Sequence, residues 1–256
     1  MPGPVVVVPC FNEELRIRQE VFEPFIRERA DVELLFVDDG STDGTWARLN
    51  EIAKALGPRA SMLQAPTNRG KAEAVRLGLL TAIVRGAPSV GFYDADGATP
   101  ATEMMALHDL LRPGEVDVAM GSRVALLGRN IRRRAFRHYT GRVFATMASL
   151  LLDLPVYDTQ CGAKFFVSSP LLREVLQSPF RSRWAFDVEL IGRLRLGTPT
   201  AAGLSARHFV EMPLKSWEDV AGSKVRLSAY PQVLGELVTI ARDTAARRRQ
   251  QKGSGS

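Results

Sequence analysis

Two short acidic runs constrain this chain more than any other feature: Val37-Asp38-Asp39-Gly40-Ser41 and Tyr93-Asp94-Ala95-Asp96-Gly97. Each follows a hydrophobic, strand-like stretch, so each sets carboxylates where a buried strand opens into a loop. Carboxylates at such an edge hold a divalent cation or hydrogen-bond a polar ligand, which a packed core forbids. One run alone is a weak signal, because an Asx-turn uses Asp-Ala-Asp-Gly equally well. Two such edges in one alternating strand–helix pattern, with Asn68-Arg69-Gly70-Lys71 between them, point to an enzyme that binds a nucleotide diphosphate through a metal.

The pattern itself is regular through the first half. Val5–Val8 is a continuous β-branched run, as a strand buried on both faces requires. Glu33–Val37, Ser61–Ala65, Ser89–Tyr93 and Asp117–Met120 follow as strands. Trp46, Leu49, Ala53 and Leu56 recur at helical spacing until Gly57-Pro58, with Ser41 or Asp43 as the capping residue. Val75, Leu79 and Ala82 or Ile83 mark a second helix ended by Gly86 and Pro88, and Pro100–Arg112 a third. The second half predicts helices over Arg133–Leu152, Ser169–Gln177 and Phe186–Leu196, and strands over Lys164–Ser168 and Ala206–Trp217. Residues Val225–Arg249 carry Leu234, Leu237, Val238 and Ala241 on one face, an amphipathic helical extension. Strands alternating with helices give an α/β fold: a Rossmann-like, mostly parallel sheet covered on both faces, with ligands at the carboxyl ends of the strands. The expected division is one α/β domain over 1–224 and the helical extension with its tail over 225–256.

Charge and apolar length narrow the setting. A net charge of +6 favours anionic partners such as phosphates or an acidic membrane surface. The longest apolar stretch in the second half, Val143–Leu152, is far short of the roughly 20 residues that span a bilayer, and Val5–Val8 is too short for a signal peptide. Cys10 and Cys161 match neither a metal-site spacing nor a disulfide framework. The expectation is a cytoplasmic protein, peripheral on the cytoplasmic face of a membrane. The most basic segment, Arg129–His138, leads into a helix with Phe136, Tyr139, Val143 and Met147 on one stripe, the profile of a surface that meets anionic headgroups.

Pro9-Cys10-Phe11-Asn12-Glu13, Val37-Asp38-Asp39-Gly40-Ser41, Asn68-Arg69-Gly70-Lys71, Asp94-Ala95-Asp96 and Gly121-Ser122-Arg123 occur in an order that resembles family 2 glycosyltransferases with the GT-A fold. Asp158–Lys164, Trp184–Leu190 and Trp217 through Gly222-Ser223-Lys224 resemble its dolichyl-phosphate β-glucosyltransferase and polyprenyl-phosphate glycosyltransferase branch. Ala98 stands where mannosyl relatives often carry Gln, which turns the comparison toward glucose. The resemblance implies an inverting, metal-dependent transfer of a hexose from a UDP-sugar, UDP-glucose above all, to a dolichyl or polyprenyl phosphate. Eukaryotic glucosyl members carry an N-terminal membrane anchor, and the expectation here is a chain without one.

Roles follow residue by residue. Asp96 is the first metal ligand, for Mg²⁺ or Mn²⁺, and Asp94 the second, or a contact to the ribose. Asp38 and Asp39 meet the nucleobase, Pro9 and Phe11 bracket it, and Asn12 or Glu13 reaches the ribose; Ala95 lines the same pocket. Arg69 and Lys71 add charge at a helix start that already favours an anion. Arg123, Arg134 and Arg137 are candidates to grip the acceptor phosphate. Gln160, Lys164 and Trp184 complete the acceptor side, and Asp187 is the best general-base candidate. The catalytic set is Asp96, Asp187 and Arg123. A lipid phosphate is already ionised near neutrality and needs no base, whereas a sugar hydroxyl does. A soluble hydroxyl acceptor is therefore the alternative enzyme reading, and Asp187 separates the two. Nucleic-acid binding through the basic run has no module to support it. The oligomeric state is not legible.

Overall fold

The computed structural model describes residues 2–132, 135–218, 235–237 and 239–240, with residues 132 and 135–140 described in backbone alone. Nine strands and seven α-helices are described. The chain runs β1 (Val5–Cys10), α1 (Glu23–Glu28), β2 (Glu33–Asp38), α2 (Thr45–Leu56), β3 (Ala60–Gln64), α3 (Lys71–Val84), β4 (Ser89–Tyr93), α4 (Ala101–His108) and β5 (Val118–Ser122). It continues through β6 (Asn130–Arg132), α5 (Ala135–Leu152), β7 (Ala163–Val167), α6 (Pro170–Val175), α7 (Phe186–Leu196), β8 (Phe209–Pro213) and β9 (Ser216–Glu218). Residues 235–237 and 239–240 are helical.

Seven strands form one sheet in the order β3-β2-β1-β4-β7-β5-β8. All neighbours are parallel except β7, which runs antiparallel to both β4 and β5. The β-branched run of β1 explains its central place. Val5 and Val7 join the core layer under α3, α5, α6 and α7, while Val6 and Val8 join the opposite layer with α1, α2 and α4. Successive side chains of a strand point to opposite faces, so a strand apolar at every position belongs between two layers. Leu237 and Ile240 are buried in the first of these cores.

Several boundaries differ from the sequence expectation. The strand expected over Ala206–Trp217 is a short 3-10 turn (Ala206–His208), then β8, then a break at Leu214–Lys215 before β9. Pro213 has no N–H to continue the ladder, and the chain leaves the main sheet to pair β9 in parallel with β6. Part of the basic run, Asn130–Arg132, is thus a strand rather than a helix approach. Neither Ser41 nor Asp43 is the N-cap of α2; Gly44 is, and its N–H donates to Glu14 Oε2 at 3.0 Å. Arg134 and the side chain of Arg137 lie outside the described residues, as does most of the expected 225–249 helix. Among the described residues no helix is long and apolar enough to cross a membrane.

The β4–β7 seam positions everything that follows, and Gly91 makes it possible. A Cβ on Gly91 would lie 2.6 Å from the backbone oxygen of Lys164 and 2.7 Å from Met104 Cε. Gly91→Ala is expected to lower stability by about 1–3 kcal/mol through overpacking. Urea denaturation checks this; an unchanged midpoint would show that the seam has slack.

Candidate active site

Because β1 to β4 and β5 share one direction, their carboxyl ends lie along one edge of the sheet. Antiparallel β7 brings its amino end, and the loop before it, to the same edge: Tyr93 pairs with Ala163, and Asp94 N–H donates to Gly162 O at 3.1 Å. That edge gathers residues 11–13, 38–39, 68–71, 94–96, 123 and 158–162.

On the β1–β2 side, Asn12 adopts φ +49° and its side-chain oxygen accepts from Thr42 N–H at 2.9 Å, while Glu13 N–H donates to Thr45 Oγ1 at 2.7 Å. Pro9 and Phe11 are half-buried, and Ala95 is buried. Asp38 is fully buried and accepts from Ser41 N–H at 3.2 Å, from Ser41 Oγ at 2.5 Å and from Gln64 Nε2 at 3.2 Å. Asp39 accepts from the N–H groups of Arg69 at 2.9 Å and Gly70 at 2.7 Å. Burial raises the pKa of Asp39, and those two N–H groups work against the rise. Asp39 therefore fixes the loop that leads into α3, leaving Arg69 exposed.

Lys71 begins α3 and crosses to β4, where its ammonium pairs with Asp94 Oδ1. Burial alone would lower the Lys71 pKa; Asp94, then Asp187 and Asp96, outweigh it and raise the value. Asp96 accepts from Ala98 N–H at 3.0 Å, and its carboxyl is pushed up, first by burial and then by the charge of Asp94. Gly162 allows this crowding. A Cβ there would sit 2.0 Å from Asp94 Oδ2.

Beneath them, Lys164 is not at a solvent-facing acceptor site as its sequence position suggested. It is fully buried, donating to Cys161 O and to Asp187 Oδ1, both at 2.6 Å, with its ammonium 5.0 Å from the centroid of the Phe92 ring. Asp187 is 6 % exposed, and burial raises its pKa against the opposing pull of Lys164 and Lys71. Arg123 likewise meets a protein partner. Its Nε and Nη2 form a fork on Asp158 at 2.6 and 2.8 Å, and its guanidinium lies 5.4 Å from the Trp217 ring centroid. Burial opposes the charge on Arg123, but Asp158 overrides it and the pKa is raised. Glu211 holds this corner by accepting from Asp158 N–H at 2.6 Å and Tyr157 N–H at 2.8 Å. Gln160 donates to Trp184 O at 2.9 Å, which joins the two remaining acceptor-side candidates.

The structure thus brings together Asp94, Asp96, Lys71, Asp187 and Lys164 in one charge cluster, with Asp38 and Asp39 along the same edge. Sequence reasoning passed over Gly162, Asp158, Glu211 and Arg183. Gly162 and Asp158 stand inside the Asp158–Lys164 motif, but their partners are remote in sequence. No three histidine, cysteine or acidic side chains group as a metal site among the described residues. Asp94 and Asp96 are two hard oxygen donors with crowded negative charge, a set that fits a divalent cation whose shell a phosphate completes.

Known proteins share this fold and place the chain in a family. The family model described as Glycosyl transferase family 2 matches residues 5–174. Dolichyl-phosphate beta-glucosyltransferase of Drosophila melanogaster is 35% identical over 201 residues, 73% of this chain and 60% of that protein. The Saccharomyces cerevisiae protein of the same name is 30% identical over 243 residues, 87% of this chain and 69% of that protein. Among solved structures, glucosyl-3-phosphoglycerate synthase from Mycobacterium tuberculosis, in complex with Mn²⁺, UDP-glucose and phosphoglyceric acid, superposes with a TM-score of 0.62. It is 21% identical, with 94% of this chain and 80% of that one covered, and it shows the shared fold. The chain belongs to glycosyl transferase family 2, has its GT-A fold, and resembles the family's dolichyl-phosphate β-glucosyltransferase branch.

Proposed function

We propose that the protein transfers glucose from UDP-glucose to a dolichyl or polyprenyl phosphate, with inversion, at the cytoplasmic face of a membrane. The observation that carries the donor half is the meeting of Lys71, at the start of α3, with Asp94 and Asp96 at the end of β4. Asp39 meets the nucleobase, while Asp38, fully buried on Ser41 and Gln64, only backs it; Pro9 and Phe11 surround the base and Asn12 or Glu13 lies toward the ribose. A carboxylate suits the imide N–H of uracil. The free amides at the start of α3, with Lys71 and Arg69, receive the diphosphate. Asp96, with Asp94, holds a divalent cation, Mg²⁺ or Mn²⁺; when bound, such a cation stabilises the charge of the departing diphosphate. Lys71 exchanges its hold on Asp94 for the phosphate as the donor enters.

The acceptor half rests on Asp187. Its Oδ1 is held by the buried Lys164 ammonium, so its charge is already compensated by a structural partner. An ionised phosphate oxygen needs no proton removed: it attacks the anomeric carbon as the bond to the UDP oxygen breaks, giving a β-linked product. Gln160 and Trp184 line the acceptor side, where Arg134 and Arg137 supply positive field toward the incoming anion, while Arg123, already forked on Asp158, orders that corner. Exposed Val143, Met147 and Leu150 follow helical spacing on α5, and an apolar stripe beside a basic run suits an anionic membrane surface.

Two substitutions separate the roles. Asp96→Ala is expected to abolish turnover while UDP still binds, and EDTA to do the same to the wild type; full activity in either case would remove the metal reading. Asp39→Ala is instead expected to weaken UDP binding itself, by roughly tenfold or more, since a hydrogen bond to a charged group contributes about 1.5–3 kcal/mol. Calorimetry with unchanged UDP affinity would take Asp39 out of the site. Val143, Met147 and Leu150 changed together to Ser should reduce sedimentation with anionic vesicles; undiminished recovery would remove α5 from the membrane reading.

A further inference from the structure

Residues 181–185, between α6 and α7, are held from three sides. Glu189 on α7 accepts from the N–H groups of Arg181 and Ser182, both at 3.0 Å. Gln160 donates to Trp184 O. The third hold comes from the C-terminal helical residues: Glu236 accepts from the Ser182 hydroxyl, from Trp184 N–H at 3.0 Å and from Ala185 N–H at 3.1 Å. Glu236 lies more than 50 residues along the chain from these partners, yet its neighbour Leu237 is 1 % exposed and Ile240 4 %. Core packing therefore sets where Glu236 reaches.

Arg181 and Arg183 are the exposed members of this loop, and Arg183 reaches the start of α3. Its guanidinium stands over Gly70, so a Cβ there would lie 3.2 Å from Nε and 3.3 Å from Nη2. Gly70 has φ +94°, its N–H is held by Asp39, and it immediately precedes α3. Arg183 makes no hydrogen bond or ion pair among the described residues. Asp39, with an oxygen on each of two backbone amides, tempers the field of the guanidinium without forming a pair with it. A planar fork of donors thus stands beside Lys71 and the free amides of a helix start, an arrangement that matches a phosphate.

We propose that Arg183 is a further ligand of the donor diphosphate and that Glu236 is its positioning residue, so that donor affinity depends on the C-terminal segment. This rests on the UDP-sugar reading of the same site. Calorimetry of the full chain with UDP and with uridine tests it, on Arg183→Ala, Glu236→Ala, Glu236→Gln and the Arg183→Ala/Glu236→Ala pair. Arg183→Ala is expected to cost about tenfold in UDP affinity and nothing in uridine affinity. Glu236→Ala should cost a similar factor, Glu236→Gln less because it keeps an acceptor oxygen, and the double variant no more than Arg183→Ala alone. Arg183 is exposed, so its replacement leaves folding intact, which a thermal melt verifies. Unchanged UDP affinity in Arg183→Ala, or an equal loss with uridine, would overturn the diphosphate contact. A Glu236→Ala loss that adds in full to that of Arg183→Ala would overturn the positioning role and mark a general defect. A wild type that binds uridine but not UDP any better would overturn the donor reading and this proposal with it.

Discussion

The buried ammonium of Lys164 governs how this edge is built. A charge removed from water must be neutralised and hydrogen-bonded where it stands. Cys161 O and Asp187 Oδ1 supply both, one from the loop before β7 and one from the first turn of α7. The pair therefore ties the one antiparallel strand of the sheet to the helix that carries Asp187 and Glu189. Removing either partner alone costs about 3–5 kcal/mol, because the other is left buried and charged. With β7 fixed in this way, Gly162 meets Asp94, and the acidic end of β4 is held against the start of α3.

Charge at that edge is balanced but not settled. Asp94 and Asp96 crowd each other; Lys71 relieves Asp94, while Asp96 is pushed toward its neutral form. On the proposed reading, a dication and a diphosphate arriving together would restore the balance in both directions, Asp94 and Asp96 holding the cation and Lys71 turning to the phosphates. Asp187 stands apart from this exchange because Lys164 already holds it. On the proposed reading, the same lysine that builds the edge also favours an acceptor that arrives ionised.

Much of this was legible in the sequence, for a reason that can be stated. Val5–Val8 and Leu34–Val37 are apolar at consecutive positions, which a strand between two layers demands, and the carboxylates follow where burial ends. Lys71 and Asp94 were placed in one site because each closes or opens an element at the same edge. What failed was pairing across distance. Lys164 reads as an acceptor-side cation, and only the fold reveals that Asp187, 23 positions away, takes up its charge. Arg123 reads as an open cation until Asp158, 35 positions on, forks it. Helix α1, six residues long, is too short to impose a period, and the break after Pro213 falls inside the single strand expected over Ala206–Trp217.

The central claim is that the acceptor is an ionised lipid phosphate rather than a neutral hydroxyl. Mass spectrometry of products from UDP-glucose, offered a polyprenyl phosphate, the matching neutral polyprenol and a free sugar, tests it directly. The account predicts a hexosyl lipid phosphate and no product from either alcohol. Transfer to the free sugar or the neutral polyprenol, with the lipid phosphate left unreacted, would contradict it.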